Sequence, residues 1–222
     1  MTMDCPQVCC VCLYADRPQF ASQVLVSFRL QQYDNKRLLI YDNSVTSLRR
    51  WHLGDNERVV NGPPVTIGGM RNAANSLVDE EIIIHWDSDD WSAPTRIEDQ
   101  VSRLLETGKA VTGYHSMRFT DGDKWWKYRG PAQYGLGTSL GYRRDWWAQH
   151  RFQRVNVSED RRFVDEAWTK GQYVGSDAGD MMFATVHAGN TSPRQVSSSN
   201  WTPLPDCRDL YREAFVAAGE VS

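Results

Sequence analysis

Residues 87–90 read Asp-Ser-Asp-Asp and follow directly on Glu81 to Trp86 (EIIIHW), a stretch apolar enough to demand burial. Three carboxylates in four residues at the end of a buried run repel one another, and that repulsion calls for a cation. Oxygen ligands at i and i+2 of an extended segment can share one divalent ion with phosphate oxygens, the usual arrangement for magnesium or manganese beside a nucleotide. A calcium loop of the EF-hand kind is disfavoured, because it needs an oxygen ligand at 91 and glycine at 92, where Trp91 and Ser92 stand. The bland reading is a solvated acidic turn capping the helix that Pro94 opens, a task that Asp90 alone would meet. A second mixed segment, Lys124-Trp125-Trp126-Lys127-Tyr128-Arg129, interleaves cations with aromatic rings. It suits stacking on bases, sugars or headgroups, and equally a hairpin with one aromatic face packed and one basic face wet.

The elements that must position these residues alternate. Val8 to Tyr14 reads as a buried strand, and Asp16, Arg17 and Pro18 open a helix with Phe20, Val24, Leu25 and Phe28 on one face. Arg37 to Asp42 is a second strand ending in a carboxylate, and Arg58 to Val60 a third. The pair Gly68-Gly69 reads as a turn before a helical stretch through Asn75, which leads to the strand Glu81 to Trp86. A helix capped by Ser92 buries Ile97, Val101, Leu104 and Leu105 and stops at Gly108. Ala110 to Phe119, the Asp121-Gly122-Asp123 turn and Lys124 to Tyr128 form a hairpin. Thr138 to Tyr142 is a short strand before a helix over Asp145 to His150, and another helix carries Phe163, Val164, Ala167 and Trp168. An amphipathic helix from Asp206 to Ala218 closes the chain. Strands alternating with helices imply an α/β fold with a mostly parallel central sheet and helices on both faces, and ligands bind beyond the C-terminal ends of such strands.

Composition bounds the partners. The 222 residues are 41% hydrophobic and 24% charged with a formal net charge of −3, which fits one domain with a real core and argues against a generic polyanion binder. Apolar runs such as Ile82 to Ile84 fall far short of the roughly 18 residues of a membrane span. With Asp4 and no basic start the N-terminus does not read as a secretory signal, so the chain is expected to be cytoplasmic. Of five cysteines, Cys5, Cys9, Cys10 and Cys12 crowd the start and only Cys207 stands elsewhere. Zinc would need a second cluster, so Cys9, Cys10 and Cys12 are read as small buried hydrophobes.

The ordered set of the Val8 to Tyr14 strand, IYDNS (40–44), GGMRNAAN (68–75), HWDSDDW (85–91), GTSLGYRRDWW (137–147), SED (158–160) and VHAGNTS (186–192) resembles the family 2 glycosyltransferases of GT-A fold. The likeness spans roughly residues 7–192, so the chain is expected to be a single GT-A domain, Rossmann-like, over 1–222, with a helical tail at about 203–219. The resemblance implies a role for each matching residue. Asp42 would contact the base or ribose of a nucleotide donor, and Arg71 would approach that nucleotide. Asp87 would face the ribose, and Asp89 would bind the metal, Mn2+ or Mg2+, with His187 beside the metal and diphosphate. Asp160, with Glu159 next to it, would be the catalytic base. Two departures bear on donor identity: Tyr41-Asp42 stands where a pair of acidic residues is usual, and the first strand carries Cys and Leu where small polar residues and Pro are common.

The chemistry implied is sugar transfer from a nucleoside diphosphate sugar, with a UDP-sugar the first candidate, to an acceptor hydroxyl on a glycan, lipid carrier, protein or hydroxylated nucleobase. A divalent ion would stabilise the leaving diphosphate, a carboxylate would deprotonate the acceptor, and one direct displacement would invert the anomeric centre. Trp125, Trp126, Lys127 and Arg129, with Arg143, Arg144, Arg161 and Arg162, would form a basic acceptor rim suited to a nucleic acid or an anionic glycan. Against this stand a nucleotidyltransferase, which shares the nucleotide-binding core but does not need the SED and VHAGNTS segments, and a silent module that only binds a nucleotide or glycan. Outside the full pattern, Glu159-Asp160 would be an acidic first turn, His187 a structural histidine and Arg71 a surface charge.

Overall fold

A computed structural model describes residues 5–44, 51–63, 65–190 and 196–211. Strands β1 (Val8–Tyr14), β2 (Lys36–Asp42), β3 (Glu57–Asn61) and β4 (Ile82–His85) form one parallel block in the order β3-β2-β1-β4. The next strands are β5 (Trp91–Ser92), β6 (Val111–Thr120), β7 (Trp125–Arg129) and β8 (Gly141–Arg143), followed by β9 (Tyr173–Asp177), β10 (Met182–Thr185) and β11 (Trp201–Leu204). They extend the sheet as β4-β8-β6-β7-β11, with β8 antiparallel to β4, β9 and β10 parallel to β6, and β10 also pairing β5.

The strand period of two sorts the parallel block into two cores. Val8, Cys10, Cys12, Leu38, Ile40, Ile82 and Ile84 face helices α1 (Ala21–Arg29) and α3 (Arg96–Thr107). Cys9, Val11, Leu39, Tyr41 and Ile83 face the opposite layer, where α2 (Ile67–Asn75), α4 (Arg144–Gln149) and α5 (Arg161–Thr169) supply Met70, Ala74, Trp147, Phe163 and Val164. The expected α/β architecture with helices on both faces is therefore present. Cys9, Cys10 and Cys12 are buried free thiols, as read from their apolar run, whereas Cys5 is exposed.

Several boundaries differ from expectation for identifiable reasons. Gly68 and Gly69 are not a turn but the first turn of α2, capped by the Thr66 side chain, which accepts from the Gly69 N–H. Gly68 is needed for close approach, since a Cβ there would sit 1.7 Å from the Gln153 carbonyl oxygen. Ser92 belongs to β5 rather than to a cap, and α3 begins four residues later behind Thr95. Gly108 ends that helix in the left-handed conformation (φ 65°), as expected, while Leu105 is exposed rather than buried. Of the expected C-terminal helix, Arg208–Tyr211 is a 3-10 turn, and residues 212 onward lie outside the described residues.

Candidate active site

The carboxylate run follows β4 where the parallel block ends, and it opens on a cavity of about 270 Å3. The walls come from the loop after β1, the run itself, the 3-10 turn Gly137–Ser139, the segment 156–160 and the end of β10 with Asn190. Among the described residues, two that are not glycine have positive φ, Asp16 (43°) and Ser158 (58°), and they directly precede Arg17 and Glu159. Backbone held in that sparsely populated region clusters at functional sites.

The three carboxylates of the run have separate fates. Asp87 is part-exposed and turns toward Arg71, 3.9 Å from Nη2. Asp89 presents Oδ2 to three donors: Arg17 Nη1 at 3.0 Å, His187 Nε2 at 2.8 Å and Asn190 Nδ2 at 3.4 Å. Asp90 is buried and accepts from the Thr138 hydroxyl and, at 3.1 Å, from the Thr185 N–H. Burial, with the charges of Asp89 and Asp87, raises its carboxyl well above the usual range. Asp90 thus ties the run to the 3-10 turn and to β10 rather than capping a helix.

Arg71, nearly buried on α2, donates from Nε to Glu159 Oε1 at 2.9 Å. Glu159 and Asp160 both line the cavity, but Glu159 is held as the partner of Arg71, whereas Asp160 packs against Gly137, where a Cβ would collide with Asp160 Oδ2. Burial, then the neighbouring Glu159 charge, raises the Asp160 carboxyl to about 6. His85 braces this wall from below: it is buried, its Nδ1 lies 2.5 Å from the Gly137 carbonyl oxygen and its Nε2 lies 3.0 Å from the Tyr142 hydroxyl. Burial and Arg71 hold its pKa well below the usual histidine value, so it stays neutral.

Asp42 ends β2 with Oδ1 accepting from the Ser44 N–H at 2.9 Å, and its Oδ2 is buried without a partner. Its neighbour Asn43 reaches the cavity wall, while Asp42 lies behind it. Four further buried polar atoms on cavity-lining residues lack a protein partner: the Tyr14 hydroxyl, Asn43 Oδ1, Ser88 Oγ and Arg71 Nη1. Unsatisfied polar groups are costly in a core, and their concentration at one cleft marks a surface built for a polar ligand.

As a cation site the fit is partial in number and good in kind. Among the described residues, no three His, Cys, Asp or Glu side chains converge in metal-ligand geometry. Asp89 and His187 do meet; the carboxylate suits Mn2+ or Mg2+, and the imidazole tips the pair toward Mn2+, when phosphate oxygens and water complete the shell. His187 Nδ1 accepts from the Gly189 N–H at 3.0 Å, so beside Asp89 alone the ring proton sits on Nε2 and is donated to the carboxylate; Nε2 can ligate an ion only by giving that proton up.

The expected acceptor rim is redistributed. Trp125 is only 2% exposed, stacked on Tyr211 and edge-on to Phe183, so it is core and not a platform. Trp126 is part-exposed, Lys127 pairs with Asp177 at 2.7 Å and Arg129 is exposed. Arg143 lies opposite Ile82 and the Arg144 N–H donates to the Glu81 carbonyl oxygen, both at the start of β4 and the far end of the sheet from the carboxylates. Sequence reading missed the functional placement of Arg17, Thr138 and Asn190. Thr138 and Asn190 sit inside segments already singled out, but nothing in the spacing connects Arg17 to a carboxylate 72 residues away.

The Glycosyl transferase family 2 model matches residues 9–167, most of the chain and all of the parallel block but its first residue, Val8. The chain belongs to glycosyl transferase family 2. This family 2 domain is similar in fold to solved glycosyltransferases at low sequence identity. S. aureus TarS 1-349 in complex with UDP-GlcNAc is 16% identical, with TM-score 0.69, over 96% of this chain and 66% of that one. The mannosyltransferase PcManGT from Pyrobaculum calidifontis, in complex with GDP-Man and Mn2+, is 14% identical, with TM-score 0.64, over 86% of this chain and 58% of that one. The full TarS chain is matched over 37% of its length, so the domain spans a third to two thirds of the solved relatives. No curated protein matches the sequence. Membership sets aside the nucleotidyltransferase reading, and no helix among the described residues is long and apolar enough to cross a membrane.

Proposed function

We propose that this domain transfers a sugar from a nucleoside diphosphate sugar, with a UDP-sugar the first candidate, to an acceptor hydroxyl with inversion, and that Asp160 is the base. The observation that carries the reading is the contrast within Glu159-Asp160. Glu159 is bound by Arg71, while Asp160 faces the cavity with its pKa raised to about 6, near the pH at which a base works best. Membership of glycosyl transferase family 2 favours an enzyme over a silent binding module. Asp89 and His187 would hold Mn2+ or Mg2+, whose chemistry when bound is Lewis-acid stabilisation of the charge that develops on the leaving diphosphate. Arg71 holds Glu159 and faces Asp87, which keeps the wall beside Asp160 fixed while the acceptor proton moves to the Asp160 carboxylate. Asn43, Ser88 and Tyr14 offer unpaired polar atoms to the nucleotide.

The test is a panel of UDP- and GDP-sugars with Mn2+ on the purified domain, read by melting temperature and by donor turnover. A ligand that binds only the folded state raises the melting temperature. Asp160→Asn is expected to lower turnover by about 10²-fold or more while donor affinity stays within a few fold. Undiminished turnover in that variant moves the base elsewhere, and absence of stabilisation by every sugar nucleotide refutes the donor class.

A further inference from the structure

We infer that Arg17 is a displaceable internal cation, paired with Asp89 when no divalent ion is bound and given up when the ion arrives. The inference rests on the reading of Asp89 as the metal carboxylate. Arg17 sits on the loop after β1, outside every segment that carries the family resemblance, and its guanidinium spans two other loops. Nη1 donates to Asp89 Oδ2 at 3.0 Å and Nη2 to the Gly189 carbonyl oxygen at 2.7 Å. The same Asp89 oxygen takes the His187 Nε2 and Asn190 Nδ2 protons, so its acceptor positions are filled.

A divalent ion cannot share that oxygen with three hydrogen-bond donors: His187 turns from donor to ligand by losing its Nε2 proton, and of the two donors left Arg17 carries a full positive charge that the ion repels. His187 is tied in place by the Gly189 N–H on its other nitrogen and by the Phe20 ring at 5.2 Å, and Asn190 is anchored by donation to the Thr185 carbonyl oxygen. Arg17 lines the cavity with its side chain 26% accessible, close to the 24% of His187, so its charge and not its exposure singles it out. Its charge also answers the repulsion among Asp87, Asp89 and Asp90 that the sequence raises: in the ion-free domain a protein cation supplies what the metal supplies later. The cost is competition, because each ion bound must first break the Arg17–Asp89 pair.

The test measures Mn2+ binding to the nucleotide-free domain by calorimetry, with no turnover involved. Arg17→Gln is expected to bind Mn2+ about fivefold more tightly than wild type, the upper end of the range for a partly exposed ion pair. Arg17→Lys, which keeps the charge, should stay within about twofold of wild type. Arg161→Gln controls for the general field, since it removes an exposed cation paired with Asp165 and not with Asp89. Asp89→Asn tests the underlying reading separately. If it binds Mn2+ as wild type does, Asp89 is not the metal carboxylate and the functional reading fails at that point. If Asp89→Asn loses the ion but Arg17→Gln binds no more tightly than wild type, or Arg17→Lys or Arg161→Gln tightens as much as Arg17→Gln, the exchange is refuted while the metal site stands.

Discussion

Asp160 concentrates the energetic tension of the site in one carboxyl group. Its pKa of about 6 against an ordinary 3.8 has a kinetic and a thermodynamic consequence, and they oppose each other. A base must be ionised, so turnover should rise with pH through about 6 and level off above it, and that acid limb should be absent from any residual activity of Asp160→Asn. A carboxyl with a raised folded pKa holds its proton more tightly folded than unfolded. The stability it contributes is therefore full below the unfolded value near 3.8 and is lost as pH rises through about 6. Asp160→Asn, which mimics the protonated form, should melt above wild type at pH 7.5, with the gap closing toward pH 4. Equal melting temperatures at both pH values would mean that the raised pKa is wrong. Both carboxylates of this pair were legible in sequence as a cluster at a helix start, but the division of labour was not. It depends on Arg71, 88 residues from Glu159 in the chain.

At the scale of elements, what could be read was what the apolar period dictates. β1, β2, β4 and α3 are legible because continuous buried runs or a helical stripe define them. β5, β9, β10 and β11 are two to five residues long, and their residues are mixed in burial or too few to show a period, so they are strands because partners are offered: β6 to β9 and β10, β7 to β11, and β10 to β5. The same limit explains Gly68. A glycine pair looks like a turn from the sequence, and only the neighbouring Gln153 carbonyl shows that the helix needs a missing side chain. Gly68→Ala should push α2 from the 151–156 segment and cost about 1–3 kcal/mol in chemical denaturation. A loss below 0.5 kcal/mol would show that the segment yields freely.

For the whole molecule, the distribution of charge matters more than its sum. A net charge of −3 leaves room for a local basic face, and the sequence allowed one made from Lys124 to Arg129 with two arginine pairs. The fold separates them: Arg143 and Arg144 stand at the far end of the sheet, Arg161 and Arg162 pair within α5 with Asp165 and Glu166, and Lys127 pairs with Asp177. A divided set of cations does not track a continuous phosphate backbone, so labelled single-stranded DNA is expected not to bind at physiological ionic strength. A salt-sensitive complex under those conditions would restore a polynucleotide as acceptor. Linear order already gathered most of the cavity-lining segments at the end of the parallel block, because strand ends and loops adjoin in sequence. It did not show how the basic residues disperse, because β8, β9 and β10 pair with β4, β5 and β6, strands distant in the chain.

The three thiols of β1 also make the domain its own stopwatch. Cys9, Cys10 and Cys12 lie on the strand flanked on both sides by parallel partners, and burial lifts the Cys10 thiol to about 12, so none reacts while the sheet is closed. Cys5, just ahead of them, is open to reagent. An aromatic disulfide should label Cys5 at once and the β1 trio only at the rate at which the parallel block opens, a direct reading of local unfolding. A bound sugar nucleotide should slow the trio and leave Cys5 untouched. If the trio reacts as fast as Cys5, or ignores a ligand that raises the melting temperature, the strand that leads into the Arg17 loop does not open as part of the nucleotide-binding unit.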